Sequence, residues 1–131
     1  VRELWEASNF FEQKPETANG PGATLESTAR LRAWLPTILA DYDVTLMLDA
    51  ACGDWNWMQH VNLSRLNWYI GWDCEPKGLA LAREAADDDE FLDRYPQHTI
   101  FQQVNLVDLR DGVPEVDLIL CRHLLQWRHR I

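Results

Sequence analysis

The segment Asp49-Ala50-Ala51-Cys52-Gly53-Asp54 joins two carboxylates to a glycine and small side chains, and a third carboxylate, Asp73, stands 24 residues beyond Asp49. Gly53 permits a tight turn and lets a ligand approach the backbone closely before the next helix starts. An acidic side chain at about this separation can accept hydrogen bonds from both hydroxyls of a ribose. The two spots together describe a nucleoside-shaped site, and charge decides which nucleoside suits it. A dinucleotide pyrophosphate wants several glycines and a helix start free of competing anions, whereas this turn has one glycine with Asp49 and Asp54 on either side of it. S-Adenosylmethionine keeps the ribose and adenine, has no phosphate, and carries positive sulfonium and ammonium groups that carboxylates attract.

Such a site needs strands that end at these residues. In an open parallel α/β sheet the ligand sits at the carboxyl ends of the strands, near the point where strand order reverses. Val44 to Ala50 and Trp68 to Asp73 are short apolar runs suited to strands covered on both faces. Thr99 to Leu106 and Val116 to Arg122 are third and fourth strand candidates. Between the second and third, Glu75-Pro76 opens a helix with proline where its missing amide does no harm, and Leu79, Ala82 and Ala86 supply an apolar stripe. The acidic cluster Asp87-Asp88-Asp89-Glu90 reads as a solvated helix end. Upstream, residues 1–23 form an irregular arm ending in Gly20-Pro21-Gly22, with Trp5, Phe10 and Phe11 expected to dock on the domain formed by residues 24–131. A helix is expected from Thr24, with Leu31, Trp34, Leu35, Ile38, Leu39 and Tyr42 on one face and a kink or break at Pro36. Strands alternating with helices predict parallel pairing and an α/β fold.

Leu48-Asp49-Ala50-Ala51-Cys52-Gly53-Asp54-Trp55-Asn56-Trp57-Met58 resembles motif I of class I S-adenosylmethionine-dependent methyltransferases, in particular a bacterial and phage subgroup with an L-D-A-P-C-G-D-x-N-W-M signature. Gly20 to Glu26 and Leu31 to Pro36 resemble that subgroup's upstream helix, Tyr69 to Asp73 its second-strand motif, and Val116 to Arg122 its fourth. The resemblance implies a Rossmann-like sheet, strand order 3-2-1-4 for the part present, with S-adenosylmethionine as cofactor and methyl transfer as activity. It implies that Asp49 and the backbone of Ala51 and Gly53 serve the methionine end and Asp73 the ribose. It places Asn105 and Leu106, with Asp108 as the other candidate, at the adenine, and Cys121 near the methionine moiety. Ala51 stands where the subgroup has proline, a replacement expected to be tolerated. His123, after the fourth strand, is either a general base facing the transferring methyl group or a surface histidine. The family's sheet has seven strands and this chain supplies four, so it reads as cut short after the fourth, and both chain ends look unusual.

The whole 131-residue sequence holds 21 Asp plus Glu against 12 Lys plus Arg, a net charge of -9. That balance disfavours nucleic acid and anionic membranes, both of which need a basic face, and favours a small-molecule or protein acceptor. The three cysteines, Cys52, Cys74 and Cys121, show no paired spacing and fit reduced thiols in the cytoplasm. Cys52 and Cys121 read as small apolar fillers and Trp55 and Trp57 as packing residues. His60, His98 and His129 have no spacing for a shared metal, so none is expected. Two other functions stay open: a different nucleotide-binding α/β enzyme, or a non-catalytic methyltransferase-like fragment needing a partner. The apolar fourth strand, left as an edge, is expected to drive self-association or partner binding.

Overall fold

Four parallel strands, β1 (Leu46–Ala50), β2 (Trp68–Asp73), β3 (His98–Gln103) and β4 (Leu118–Cys121), form one sheet in the order β3-β2-β1-β4 in a computed structural model that describes residues 15–122. β1 and β2 lie in the middle, and their ends are in register, Asp49 opposite Gly71 and Ala50 opposite Trp72. Because side chains alternate across a strand, Met47 and Asp49 share a face with Tyr69, Phe101, Leu118 and Leu120. That face meets the main core, where Tyr69 and Phe101 pack with Leu35, Leu39, Leu79 and Ala82. Helix α1 (Ala29–Asp41) contributes Leu35 and Leu39, and helix α2 (Pro76–Ala86) contributes Leu79 and Ala82. α2 opens as its sequence predicts, with Pro76 in the first turn and Glu75 accepting from the amide of Lys77.

Three local expectations give way to stronger local chemistry. The upstream helix begins at Ala29, not Thr24, because the Thr24 hydroxyl stabilises a turn: it donates to the carbonyl of Pro21 and accepts from the amide of Ser27. Pro36 does not divide α1 into two elements: it lies inside one continuous helix, and Leu35 and Leu39, buried on either side of it, hold the helix against the core. Of the remaining stripe, Trp34 and Tyr42 are exposed. After β1 no α-helix follows: the backbone enters the left-handed region at Ala51, Gly53 and Trp55 (φ 77°, 61° and 65°) and then makes one 3-10 turn, Met58–His60. This winding turns Trp55 inward, where its ring meets Tyr69, Tyr95 and Phe101 at centroid distances of 5.6, 5.2 and 5.5 Å.

β3 stops three residues earlier than the sequence suggests, because Asn105 closes a turn of its own, its side-chain oxygen accepting from Val107 and its carbonyl from Asp108. β4 is tied to β1 by Asp117, one of whose oxygens accepts from the amides of Thr45 and Leu46, both at 3.0 Å, and from the Thr45 hydroxyl. These bonds hold the Asp117 carboxyl below its ordinary range. Among the described residues β4 is an edge strand, with Ile119 half exposed.

Gly71, opposite Asp49, packs directly against the aromatic cluster: a Cβ there would lie 2.7 Å from Phe101 and 3.0 Å from the Cys52 sulfur. Gly71→Ala should therefore lower stability by about 1 to 3 kcal/mol through overpacking. Urea denaturation measures this, and an unchanged midpoint would show that the cluster is loosely packed.

Candidate functional site

The turn after β1 is bound to β2 twice. The carbonyl of Trp72 accepts from the amides of Ala51 (2.7 Å) and Cys52 (2.9 Å), and the Asp73 carboxylate accepts from Gly53 at 2.8 Å. The other Asp73 oxygen accepts from the amide of Glu75 at 2.9 Å, which fixes the start of α2. A carboxylate offers about four acceptor positions, so Asp73 retains capacity for a ligand's hydroxyls. Asp49, Ala51, Gly53 and Asp73 are thus brought together at the carboxyl ends of the two central strands. Cys121 joins them, since it pairs in register with Ala50. Val104 donates to the carbonyl of Asp73 at 2.9 Å, which sets exposed Asn105 and half-buried Leu106 just beyond it. Asp108, the alternative to Asn105, is exposed and pairs with Arg110 at 3.1 Å. His123 lies outside the described residues.

Asp49 is 3% exposed, and one of its oxygens accepts a short hydrogen bond from the Tyr69 hydroxyl. Burial pushes its pKa up to about 7; the Tyr69 bond opposes this, Asp73 adds to it and Arg122 opposes it. Since the folded value lies above the ordinary one, the proton-bound form is the one the fold favours. The stability this group contributes is complete below about pH 4 and is lost as pH rises through about 7. Burial and the carboxylates of Asp49 and Asp73 also push the Cys52 thiol far up, which fits a packing role.

The structure adds two features of the turn that the sequence does not show. The close approach that Gly53 permits is made by the chain itself: a Cβ on Gly53 would meet the side chain of Asn19 at 2.5 Å, and the Asn19 oxygen accepts from the amide of Asp54 at 2.8 Å. Ala51 is also no simple stand-in for proline. Its φ of 77° lies far from the proline value near −65°, and its amide is used on Trp72.

Residues that sequence reasoning passed over, Glu16, Thr17, Ala18 and Arg122, complete the site. Asp54 accepts from the Thr17 hydroxyl (2.7 Å), the amide of Ala18 (3.0 Å) and the amide of Asn56 (3.0 Å), while Asn56 donates to Glu16 and to the carbonyl of Ala23. The described part of the arm is thereby clamped to the turn. Arg122 donates to the carbonyl of Gly22 at 2.8 Å and lies over the Trp57 ring at 5.6 Å. The alternation of Leu118 and Leu120 already points Arg122 to the face of Asp49. An open groove of about 410 Å³ adjoins this clamp, lined by Glu16, Thr17, Asp54 and Asn56 together with the helix residues Leu81 and Ala85, and includes none of Asp49, Gly53 or Asp73.

The strand order and the parallel pairing are those of a Rossmann-like sheet, and likeness to solved structures gives the chain a class I S-adenosylmethionine-dependent methyltransferase fold. Two solved structures of magnesium protoporphyrin IX methyltransferase (ChlM) from Synechocystis PCC 6803 are similar to the chain, each with a TM-score of 0.52. The structure with bound SAH is 21% identical over 76% of this chain and 42% of that one; the structure with bound SAM is 18% identical over 95% and 61%. The chain therefore spans about half the length of these proteins. No family model and no curated protein matches the sequence.

The left-handed turn is open to direct test. Ala51→Gly should keep or raise stability by up to about 1 kcal/mol, whereas Ala51→Pro should cost about 3 kcal/mol or more. Thermal melts of both variants check the turn, and a Pro variant as stable as wild type would show that Ala51 has negative φ in solution.

Proposed function

We propose that this chain binds S-adenosylmethionine and transfers its methyl group to an acceptor of the small-molecule or protein class. The observation that carries the reading is the Asp73 carboxylate bound to the amide of Gly53, which places Asp49, the Ala51–Gly53 backbone and Asp73 in one cluster at the ends of β1 and β2. The fit to the cofactor is chemical. Asp49 is a buried carboxyl that an ammonium would draw into its ionised form, and Asp73 keeps acceptor capacity for ribose hydroxyls. Asn105 and Leu106 follow β3 on the side where adenine would extend. The same residues would repel a pyrophosphate. The cofactor supplies an activated methyl group on a sulfonium.

The chain's own residues bind and align. Methyl transfer is an in-line displacement from a neutral leaving group, so alignment at close distance is the main requirement, with a base only where the acceptor must lose a proton. His123, which follows β4 in the sequence, is the residue we assign to that base role. The docked arm, through Asn19 at Gly53 and Gly22 at Arg122, borders the methionine end. The acidic balance supports an acceptor other than nucleic acid. Free Cys52, Cys74 and Cys121 support a cytoplasmic setting, and no helix among the described residues is long and apolar enough to cross a membrane.

Calorimetry of the full chain with S-adenosylhomocysteine tests the reading. Asp73→Asn should weaken binding roughly ten- to a hundredfold by removing a charged acceptor. A ligand ammonium favours ionised Asp49, so affinity should rise with pH up to about 7, with up to one proton released per binding event below that value. Absence of binding, equal affinity in the variant, or preference for NAD would overturn the assignment.

The β4 edge is part of the same proposal. Leu118-Ile119-Leu120-Cys121 carries no charge or proline to blunt pairing, which supports self-association through this strand. Sedimentation velocity should show a dimer that Ile119→Lys converts to monomer; a wild-type monomer at all concentrations would remove the edge from the account.

A further inference from the structure

Helix α2 carries a second apolar line besides the one it turns to the core. Leu79 and Ala82 are buried, whereas Leu81, one helical turn before half-buried Ala85, is 46% exposed. Residues four apart lie on one helix face, so Leu81 and Ala85 form a line of their own. They wall the open groove of about 410 Å³ whose other side is the arm at Pro15, Glu16, Thr17 and Ala18. The groove's carboxylates are already engaged: Asp54 accepts from Thr17, Ala18 and Asn56, and Glu16 accepts from Asn56 and from the amide of Leu25. A phosphate or carboxylate would meet like charge here, so the groove suits an apolar occupant.

The chain itself supplies one. Residues 1–14 lie outside the described residues and join the described chain at Pro15, which is part of the groove wall. Phe10 and Phe11 precede Pro15 by five and four residues. An extended chain covers at most about 3.5 Å per residue, so Phe11 reaches up to about 14 Å from Pro15. Leu81 and Ala85 are only about 6 Å apart along the helix. Tethering adds to the fit, since a segment held by so short a connection meets the groove at an effective concentration of order millimolar. A separate peptide of the same composition has to match that concentration.

We propose that the chain's own residues 10–14 fold back onto α2 and seat Phe10 and Phe11 in the groove, against Leu81 and Ala85. The docking expected of these aromatics from the sequence alone is thereby given a place, and it does not depend on the cofactor reading. Its consequence reaches the strand ends through the clamp. Thr17 and Ala18 on Asp54, and Asn19 at Gly53, follow directly after the seated segment. A segment anchored upstream has less freedom to lose when the clamp closes, so a filled groove favours the closed clamp.

Nitrogen-15 NMR of the full chain tests this with two reciprocal changes. Phe10→Ser combined with Phe11→Ser should shift the amides of Gln59, Leu81 and Ala85, which line the groove, and leave β1 and β2 unmoved. The same variant should speed hydrogen exchange at the amides of Ala18 and Asp54, which the clamp holds. Leu81→Lys, a change at an exposed position, should in turn shift the amides of Phe10 and Phe11. Groove amides unmoved by the double variant, or Phe10 and Phe11 unmoved by Leu81→Lys, would overturn the proposal. Shifts that vanish on dilution would overturn it as well, since they would assign the groove to the arm of a second copy.

Discussion

The Asp73 carboxylate accepts from two backbone amides that belong to different connections, Gly53 in the turn after β1 and Glu75 at the start of α2. One side chain at the end of β2 therefore sets the position of both segments that border the strand ends. The turn it holds is strained by ordinary standards, with Ala51 and Trp55 at positive φ, and each such non-glycine residue costs of order 1 kcal/mol. The hydrogen bonds to Trp72 and Asp73, and the full burial of Trp55 among Tyr69, Tyr95 and Phe101, offset that cost. The aromatic cluster is thus the floor of the site, and the acidic turn is its rim.

Electrostatics follow from this placement. Asp49 lies inside the floor and keeps its proton to about pH 7, while Asp73 lies at the rim with both oxygens on amides. The buried carboxyl is poised to ionise when a cation arrives, and Tyr69, whose own ionisation is suppressed by burial, remains a donor to it throughout. The arm closes the arrangement from above with neutral and anionic groups from Glu16 to Asn19, and Arg122 reaches it from β4.

Much of this is legible in the sequence, for physical reasons. β2 can be read to the residue because Trp68 to Asp73 is a continuous apolar run ended by an acid, and a run buried on both faces has that signature. The order β3-β2-β1-β4 is implied by the methyltransferase resemblance, not by periodicity. What the sequence hides depends on contacts between distant segments. Nothing near Asn19 announces that its side chain will sit on Gly53, and nothing near Asp117 announces the amides of Thr45 and Leu46. The start of α1 is misplaced by sequence alone because a threonine before an apolar stripe can cap a helix or close a turn, and only the nearby Pro21 carbonyl decides between them. Arg122 is within reach of sequence reasoning, since strand alternation alone carries it to the face of Asp49.

The central claim is that the ends of β1 and β2, locked by Asp73, form the ligand site. The most direct measurement is a nitrogen-15 NMR titration of the full chain with S-adenosylhomocysteine. The account predicts that the largest shifts fall on the amides of Ala51, Gly53 and Glu75 and on the Arg122 side chain, with residues at the start of β3 unmoved. Shifts confined to the groove at Glu16, Gln59, Leu81 and Ala85, or no shifts at all, would contradict it.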